Sequence, residues 1–107
     1  VVVFVGIESS LPVPLTIDGE AIIGRADEEA GYMPELDLSP FDARDGGVSR
    51  RHAVLIVENG TLFVADLNSV NGTRINGVEL GRDQRSRVRH GDVIEVGRLR
   101  LTVYFVD

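Results

Sequence analysis

Four polar clusters stand at the ends of apolar runs in this 107-residue chain. Gly24-Arg25 ends one run, and Val48-Ser49-Arg50-Arg51-His52 leads into another. Asp66-Leu67-Asn68-Ser69-Val70-Asn71-Gly72-Thr73 joins two more, and Gly91-Asp92 precedes a last one. The chemistry these residues suit is anion capture. Arg25, Ser49, Arg50 and nearby backbone N–H groups can surround a phosphate with donors, and the arginines add charge. A phosphorylated threonine carries about −1.5 to −2 charge and three strong acceptor oxygens. Charge-assisted hydrogen bonds contribute about 1.5–3 kcal/mol each, so two or three of them distinguish it from the bare hydroxyl. A peptide main chain needs a donor and an acceptor together, which the Asn71 amide offers. Spacing alone leaves open whether these residues meet.

Other chemistries fit less well. Ser49, His52 and Asp66 are the residue types of a hydrolase triad. Yet Ser49 and His52 are three apart, and they face opposite ways along an extended strand. No Gly-x-Ser-x-Gly elbow accompanies them. Two histidines, His52 and His90, with no cysteine make a poor zinc set. No cofactor is expected, and His90 is expected in a solvated loop. Asp66 and Asp92 stand beside turn residues whose backbone they can hydrogen-bond. Arg82, Arg85, Arg87 and Arg89 form a basic stripe that suits a solvated edge strand guarded against pairing.

The elements that must position the clusters are strands. Twelve glycines and four prolines punctuate short runs of valine, isoleucine and leucine, the pattern of an all-β sandwich or barrel. Strands are expected over Val1–Ile7, Ala21–Gly24, Leu36–Leu38, His52–Val57, Leu62–Ala65, Ser86–Arg89, Val93–Val96 and Leu99–Phe105. Asn-Gly between apolar runs is a strong hairpin signal, because both residues take positive φ. Asn59-Gly60, Asn71-Gly72 and Asn76-Gly77 therefore suggest a tight meander, the first and last being turns and nothing more. Residues 25–48 form a long acidic stretch, a candidate functional loop. A single domain spanning 1–107, belonging to a longer protein, is expected.

Composition bounds the partners. The net charge of −6 argues against a general nucleic-acid binder. The eleven basic residues are all arginine, whose planar fork suits phosphate and carboxylate. No apolar run reaches the length of a membrane span. The absence of cysteine fits a reducing, cytoplasmic setting.

The whole chain resembles the forkhead-associated (FHA) domain family. The resemblance rests on five pieces in order: Gly24-Arg25; Val48-Ser49-Arg50-Arg51-His52-Ala53; Asp66 through Thr73; Ile75-Asn76-Gly77; and Gly91-Asp92-Val93-Ile94 with Gly97. It implies a two-sheet β-sandwich of about eleven mostly antiparallel strands, with a ligand held by loops at one end. It also implies a non-catalytic, monomeric module that binds a phosphothreonine-containing protein in kinase signalling. Arg25 matches the arginine that contacts phosphate or the adjoining peptide backbone. Ser49 matches the serine whose hydroxyl binds a phosphate oxygen, and Arg50 a position that also faces the phosphate. His52 matches the histidine that supports the loops from below, and Asn71 the asparagine that clamps the peptide main chain. Gly24 and Gly72 match glycines that permit tight loops. Two positions depart from the pattern. Val70 stands where members often carry threonine, and Asp45-Gly46-Gly47 offers little side-chain readout of the third residue after the phosphothreonine. A phosphorylation-independent protein contact on the same fold is the alternative.

Overall fold

In a computed structural model, residues 1–106 of the chain are described. Alternating apolar residues and tight turns give strands β1 (Val2–Ile7), β2 (Val13–Thr16), β3 (Glu20–Gly24), β4 (Leu36–Asp37), β5 (Arg51–Glu58) and β6 (Thr61–Asp66). The chain continues with β7 (Thr73–Ile75), β8 (Val78–Glu79), β9 (Arg85–Arg87), β10 (Val93–Val96) and β11 (Leu99–Phe105). They form a six-stranded sheet in the order β2-β1-β11-β10-β7-β8 and a five-stranded sheet in the order β4-β3-β5-β6-β9. The expected sandwich is thus present.

The period of two explains the core. Val3, Val5 and Ile7 of β1 and Leu99, Leu101 and Val103 of β11 are buried. They pack with Ala21 and Ile23 of β3, Ala53 and Leu55 of β5, and Leu62 and Val64 of β6. Fully burying a valine or leucine contributes about 1.5–3 kcal/mol, so this interior fixes the register of both sheets. Phe105 keeps the phase of Leu99, Leu101 and Val103, pairing with Val3, but lies at the rim, 38% exposed. The acidic stretch 25–48 is not featureless. It holds β4, a 3-10 turn at Ser39–Phe41, and an isolated bridge between Asp27 and Tyr32.

Several elements differ from expectation. β2 was not foreseen; it contains Pro14 and lies at a sheet edge, where a missing N–H is tolerated. β4 runs parallel to β3, with Ile23 opposite Leu36. The expected meander is broken at Asn71-Gly72. There the chain crosses from β6 in one sheet to β7 in the other, so this pair is no hairpin turn. Gly72 has φ 85°, and the left-handed asparagine of the segment is Asn68. Asn59-Gly60 does close the β5–β6 hairpin, with φ 53° and 74°. Asn76 is more than a turn residue. Its amide reaches Asp92 Oδ1 at 3.1 Å and accepts the Val93 N–H at 3.0 Å, stitching the β7–β8 turn to β10.

Of the arginine stripe, Arg85 and Arg87 lie on β9, the edge of the five-stranded sheet, while Arg82 and Arg89 flank it. Arg85 makes a forked pair with Glu58 at 3.0 and 3.1 Å. Its guanidinium carbon also lies 4.0 Å from the centre of the Phe63 ring. Val88 on the opposite phase is buried.

One irregularity positions the site. Ile23 pairs with Ala53, but the next residue, Gly24, pairs with Arg51. The extra residue on β5 is a β-bulge, and it leaves His52 without a partner on β3. Bulges commonly re-aim a side chain near a functional site. The bulge requires Gly24, since a Cβ there would lie inside the contact radius of the Arg50 carbonyl. Gly24→Ala is therefore expected to cost at least about 2 kcal/mol of stability. Urea unfolding measures this, and a loss below 0.5 kcal/mol, the scale of a neutral surface change, would contradict the bulge.

Candidate functional site

Three segments meet at one end of the sandwich: the end of β3, the turn before β5, and the crossover between β6 and β7. Gly24, Arg25, Ser49, Arg50, His52, Val70, Asn71 and Gly72 lie on these three segments, whereas Gly91-Asp92 lies apart from them and bonds to Asn76 and Arg89. Arg25 extends β3, its N–H reaching the Arg50 carbonyl at 3.2 Å. Its Nε donates to the Val48 carbonyl at 2.8 Å. That bond fixes the side chain and leaves the two Nη groups at the free end of the guanidinium.

The turn before β5 is closed by its own backbone. Gly46 N–H reaches the Asp42 carbonyl at 2.8 Å, and Val48 N–H the Ala43 carbonyl at 2.8 Å. Ala43 and Val48 bury their side chains in the core, so the turn is anchored from beneath. Arg98, from the β10–β11 turn, adds a backbone bond to the Gly46 carbonyl at 2.7 Å, and its guanidinium donates to the Asp45 carbonyl. Asp45-Gly46-Gly47 thus acts through its backbone carbonyls. The Gly47 carbonyl accepts the Asn71 amide at 3.0 Å. A Cβ on Gly47 would press against that same amide nitrogen, 2.6 Å away. The positive φ of Gly47, 76°, is the only local hint the backbone gives.

Ser49 and Val70 join the second and third segments. The Val70 N–H donates to Ser49 Oγ at 3.2 Å, so the hydroxyl proton remains available to an acceptor. Val70 itself is 88% exposed. Its side chain can offer an apolar surface but no hydrogen bond. The crossover is further braced by Asp66. Its carboxylate accepts the Ser69 N–H at 3.1 Å and the Thr73 hydroxyl at 2.6 Å, as well as the Ser69 hydroxyl. Ser69 Oγ in turn accepts the Gly72 N–H at 2.9 Å. Partial burial pushes the Asp66 carboxyl up, but the bonds from Ser69 and Thr73 outweigh it and hold the carboxyl below its ordinary range. Asp66 and Asp92 are structural, as expected; Asp92 accepts the Arg89 N–H at 2.7 Å.

His52 connects these loops. It is fully buried. Its Nδ1 accepts the Ser49 N–H at 3.0 Å, and its Nε2 meets the Gly72 carbonyl at 2.7 Å. An imidazole that accepts at Nδ1 and donates at Nε2 is neutral and in a single tautomer. Burial lowers its pKa, and the Gly72 carbonyl and Asp66 only partly oppose this. The same two bonds dismantle the triad geometry. His52 takes the Ser49 amide and not its hydroxyl, so neither ring nitrogen is free to act as its base. His90 is exposed as expected, yet not idle: its Nδ1 accepts the Phe105 N–H at 2.9 Å.

Arg50 holds a contact that sequence reading did not anticipate. Its Nη1 lies 2.7 Å from Asp27 Oδ2. The guanidinium is the main cause holding the Asp27 carboxyl below its usual value. Residues 23 apart in sequence make this pair, and only the placement of the acidic loop over β5 reveals it. Arg25, Asp27, Glu28, Glu29, Arg44 and Arg50 line a common cleft of about 510 Å³.

The neutral His52 sets a pH dependence. Its folded-state pKa is lowered, so the folded protein binds the proton less well than the unfolded chain. Its contribution is complete above pH 6.5 and is lost as pH falls from there toward the folded value. Thermal unfolding of the free domain should show Tm declining between pH 7 and 5, well above the carboxylate range. His52→Gln should flatten that window and lower Tm at pH 7, because removal of each buried partner costs about 1–3 kcal/mol. A wild-type Tm constant from pH 7 to 5 would rule this out.

The family model of the FHA domain matches residues 21–97. FhaA of Mycobacterium tuberculosis is 34% identical over 86 residues, covering 80% of this chain and 14% of that protein. FraH of Nostoc sp. is 38% identical over 71 residues, covering 66% of this chain and 24% of that protein. The chain therefore spans about a quarter or less of the length of these two relatives. A solved FHA domain described for its phosphothreonine-dependent interactions has a TM-score of 0.76 at 29% identity, covering 100% of this chain and 99% of that one. With the match extending from β3 to the β10–β11 turn and the sandwich reproduced over its full length, the chain belongs to the FHA domain family.

Proposed function

We propose that this domain is a non-catalytic module that docks to a phosphothreonine-containing segment of a partner protein in kinase signalling. The observation that carries the reading is the Ser49–Val70 bond. It leaves the Ser49 hydroxyl proton free where the turn before β5, which carries Arg50, meets the crossover that carries Asn71. In this reading Ser49 Oγ and the Nη groups of Arg25 hold phosphate oxygens, and Arg50 adds charge. Asn71, steadied by the Gly47 carbonyl, contacts the ligand main chain with its remaining N–H and its carbonyl oxygen. His52, Gly24 and Gly72 hold the loops, and Val70 flanks the peptide. The relative described for phosphothreonine-dependent interactions supports this. Residues 1–107 act as one domain of a longer protein, placed in the cytoplasm within reach of kinases. Among the described residues no helix is long and apolar enough to cross a membrane.

The test is a titration with degenerate phosphothreonine, phosphoserine and unphosphorylated peptide pools. Binding should be confined to the phosphothreonine pool or be strongly weighted to it, and should weaken as salt rises. Ser49→Ala and Arg25→Ala should each weaken it at least about tenfold, the value of one charge-assisted hydrogen bond. Asn71→Ala should weaken it without changing its salt dependence. Unchanged affinity in both Ser49→Ala and Arg25→Ala would reject the site. Partner capture that survives phosphatase treatment would favour a phosphorylation-independent contact, with exposed Val70 the first residue to examine.

A further inference from the structure

Arg50 reaches the phosphate site already paired. Its partner is the better anchored of the two. The Asp27 side chain is 24% exposed and that of Arg50 is 57% exposed. The Asp27 backbone exchanges two hydrogen bonds of 2.9 Å with Tyr32, and its Oδ1 accepts the Ala30 N–H at 3.3 Å. The acidic turn 27–32 is thus a small closed hairpin presenting one fixed carboxylate. Arg50 is the arm that can move. It follows Ser49 in sequence and lines the same cleft as Arg25. The cleft is balanced, with Arg25, Arg44 and Arg50 against Asp27, Glu28 and Glu29.

Resting on the phosphothreonine reading, we propose that Asp27 is the internal counter-ion of the phosphate site, holding Arg50 until a ligand phosphate displaces it and thereby setting the charge a ligand must bring. An exposed ion pair contributes little net stability. A phosphate dianion offers three oxygens and engages Arg25 and Ser49 as well, so it competes successfully for the guanidinium. A single weakly held anion does not. Asp27 therefore lowers affinity for the correct ligand somewhat and keeps the empty site from attracting unrelated anions. This extends the set of specificity residues beyond the loops that touch the ligand.

The experiment measures the phosphothreonine and unphosphorylated peptide pools against wild type, Asp27→Asn, Arg50→Ala and the double variant, by fluorescence anisotropy. Asp27→Asn keeps shape and removes charge. It should bind the phosphothreonine pool about two- to fivefold more tightly, with the unphosphorylated pool unchanged. The gain should vanish in the Arg50→Ala background and shrink at high salt. Equal or weaker binding by Asp27→Asn, or the same gain without Arg50, overturns the proposal. Asp27→Ser serves if Asp27→Asn fails to fold. If wild type binds no phosphothreonine pool, the function reading fails separately. Inorganic phosphate, titrated by NMR, then decides the counter-ion: tighter binding by Asp27→Asn supports it, and equal binding overturns it.

Discussion

Two hydrogen bonds of one buried imidazole hold the functional end of this domain together. His52 receives the Ser49 N–H at Nδ1 and donates from Nε2 to the Gly72 carbonyl. Ser49 and Gly72 belong to different loops, and those loops feed different sheets. A histidine that accepts at one ring nitrogen and donates from the other is the neutral imidazole. Burial enforces the neutrality. A backbone consequence follows at once. For His52 to turn under the loops, β5 must bulge opposite Gly24, and the bulge tolerates no side chain at Gly24. Imidazole, bulge and glycine are therefore one device.

Rigidity is the functional return of this arrangement. The Gly72 carbonyl accepts from His52 and also from the Gly97 N–H at 3.2 Å. The turn at 42–48 closes on itself and is tied to the β10–β11 turn through Arg98. The crossover at 66–72 is braced by Asp66 and Ser69. Little loop ordering is left to occur on binding, which lowers the entropic cost of association. The sandwich supplies stiff strands, and polar bonds at its end convert that stiffness into fixed positions for donors.

Much of this was legible in the sequence because it rests on local rules. Alternation placed β1, β5, β6, β10 and β11 within about a residue of their observed limits. Asn59-Gly60 announced its hairpin. Arg25, Ser49, Arg50 and Asn71 stood out by their donor chemistry, whereas the roles of His52, Val70, Gly24 and Gly72 were legible only through the family resemblance, and nothing in the spacing shows that three loops converge. What escaped was non-local. Asn71-Gly72 has the composition of a hairpin turn, but burial of β6 and β7 in different sheets overrides it. β2 carries two prolines nearby and only four residues, too weak a pattern to stand alone. The Asp27–Arg50 pair and the packing of Gly47 against Asn71 join residues more than twenty positions apart. No periodicity encodes such contacts; only the folded loops do.

The hydrogen-bond inventory explains why such a site would respond to phosphate in particular. The fold itself consumes Arg25 Nε, one Asn71 N–H, the Ser49 amide and one acceptor position on Ser49 Oγ. What remains on the surface is weighted toward donors: the Ser49 hydroxyl proton, the Arg25 Nη groups and the rest of the Arg50 guanidinium. A bare threonine hydroxyl can accept at most two bonds and brings no charge. It leaves the arginines better solvated by water than by ligand, so no net gain follows from its approach. A dianion with three oxygens satisfies all of these donors together, and each bond is strengthened by charge. In the proposed reading, discrimination would come less from any single contact than from these surface donors acting together, with Asp27 pairing Arg50 in the free domain.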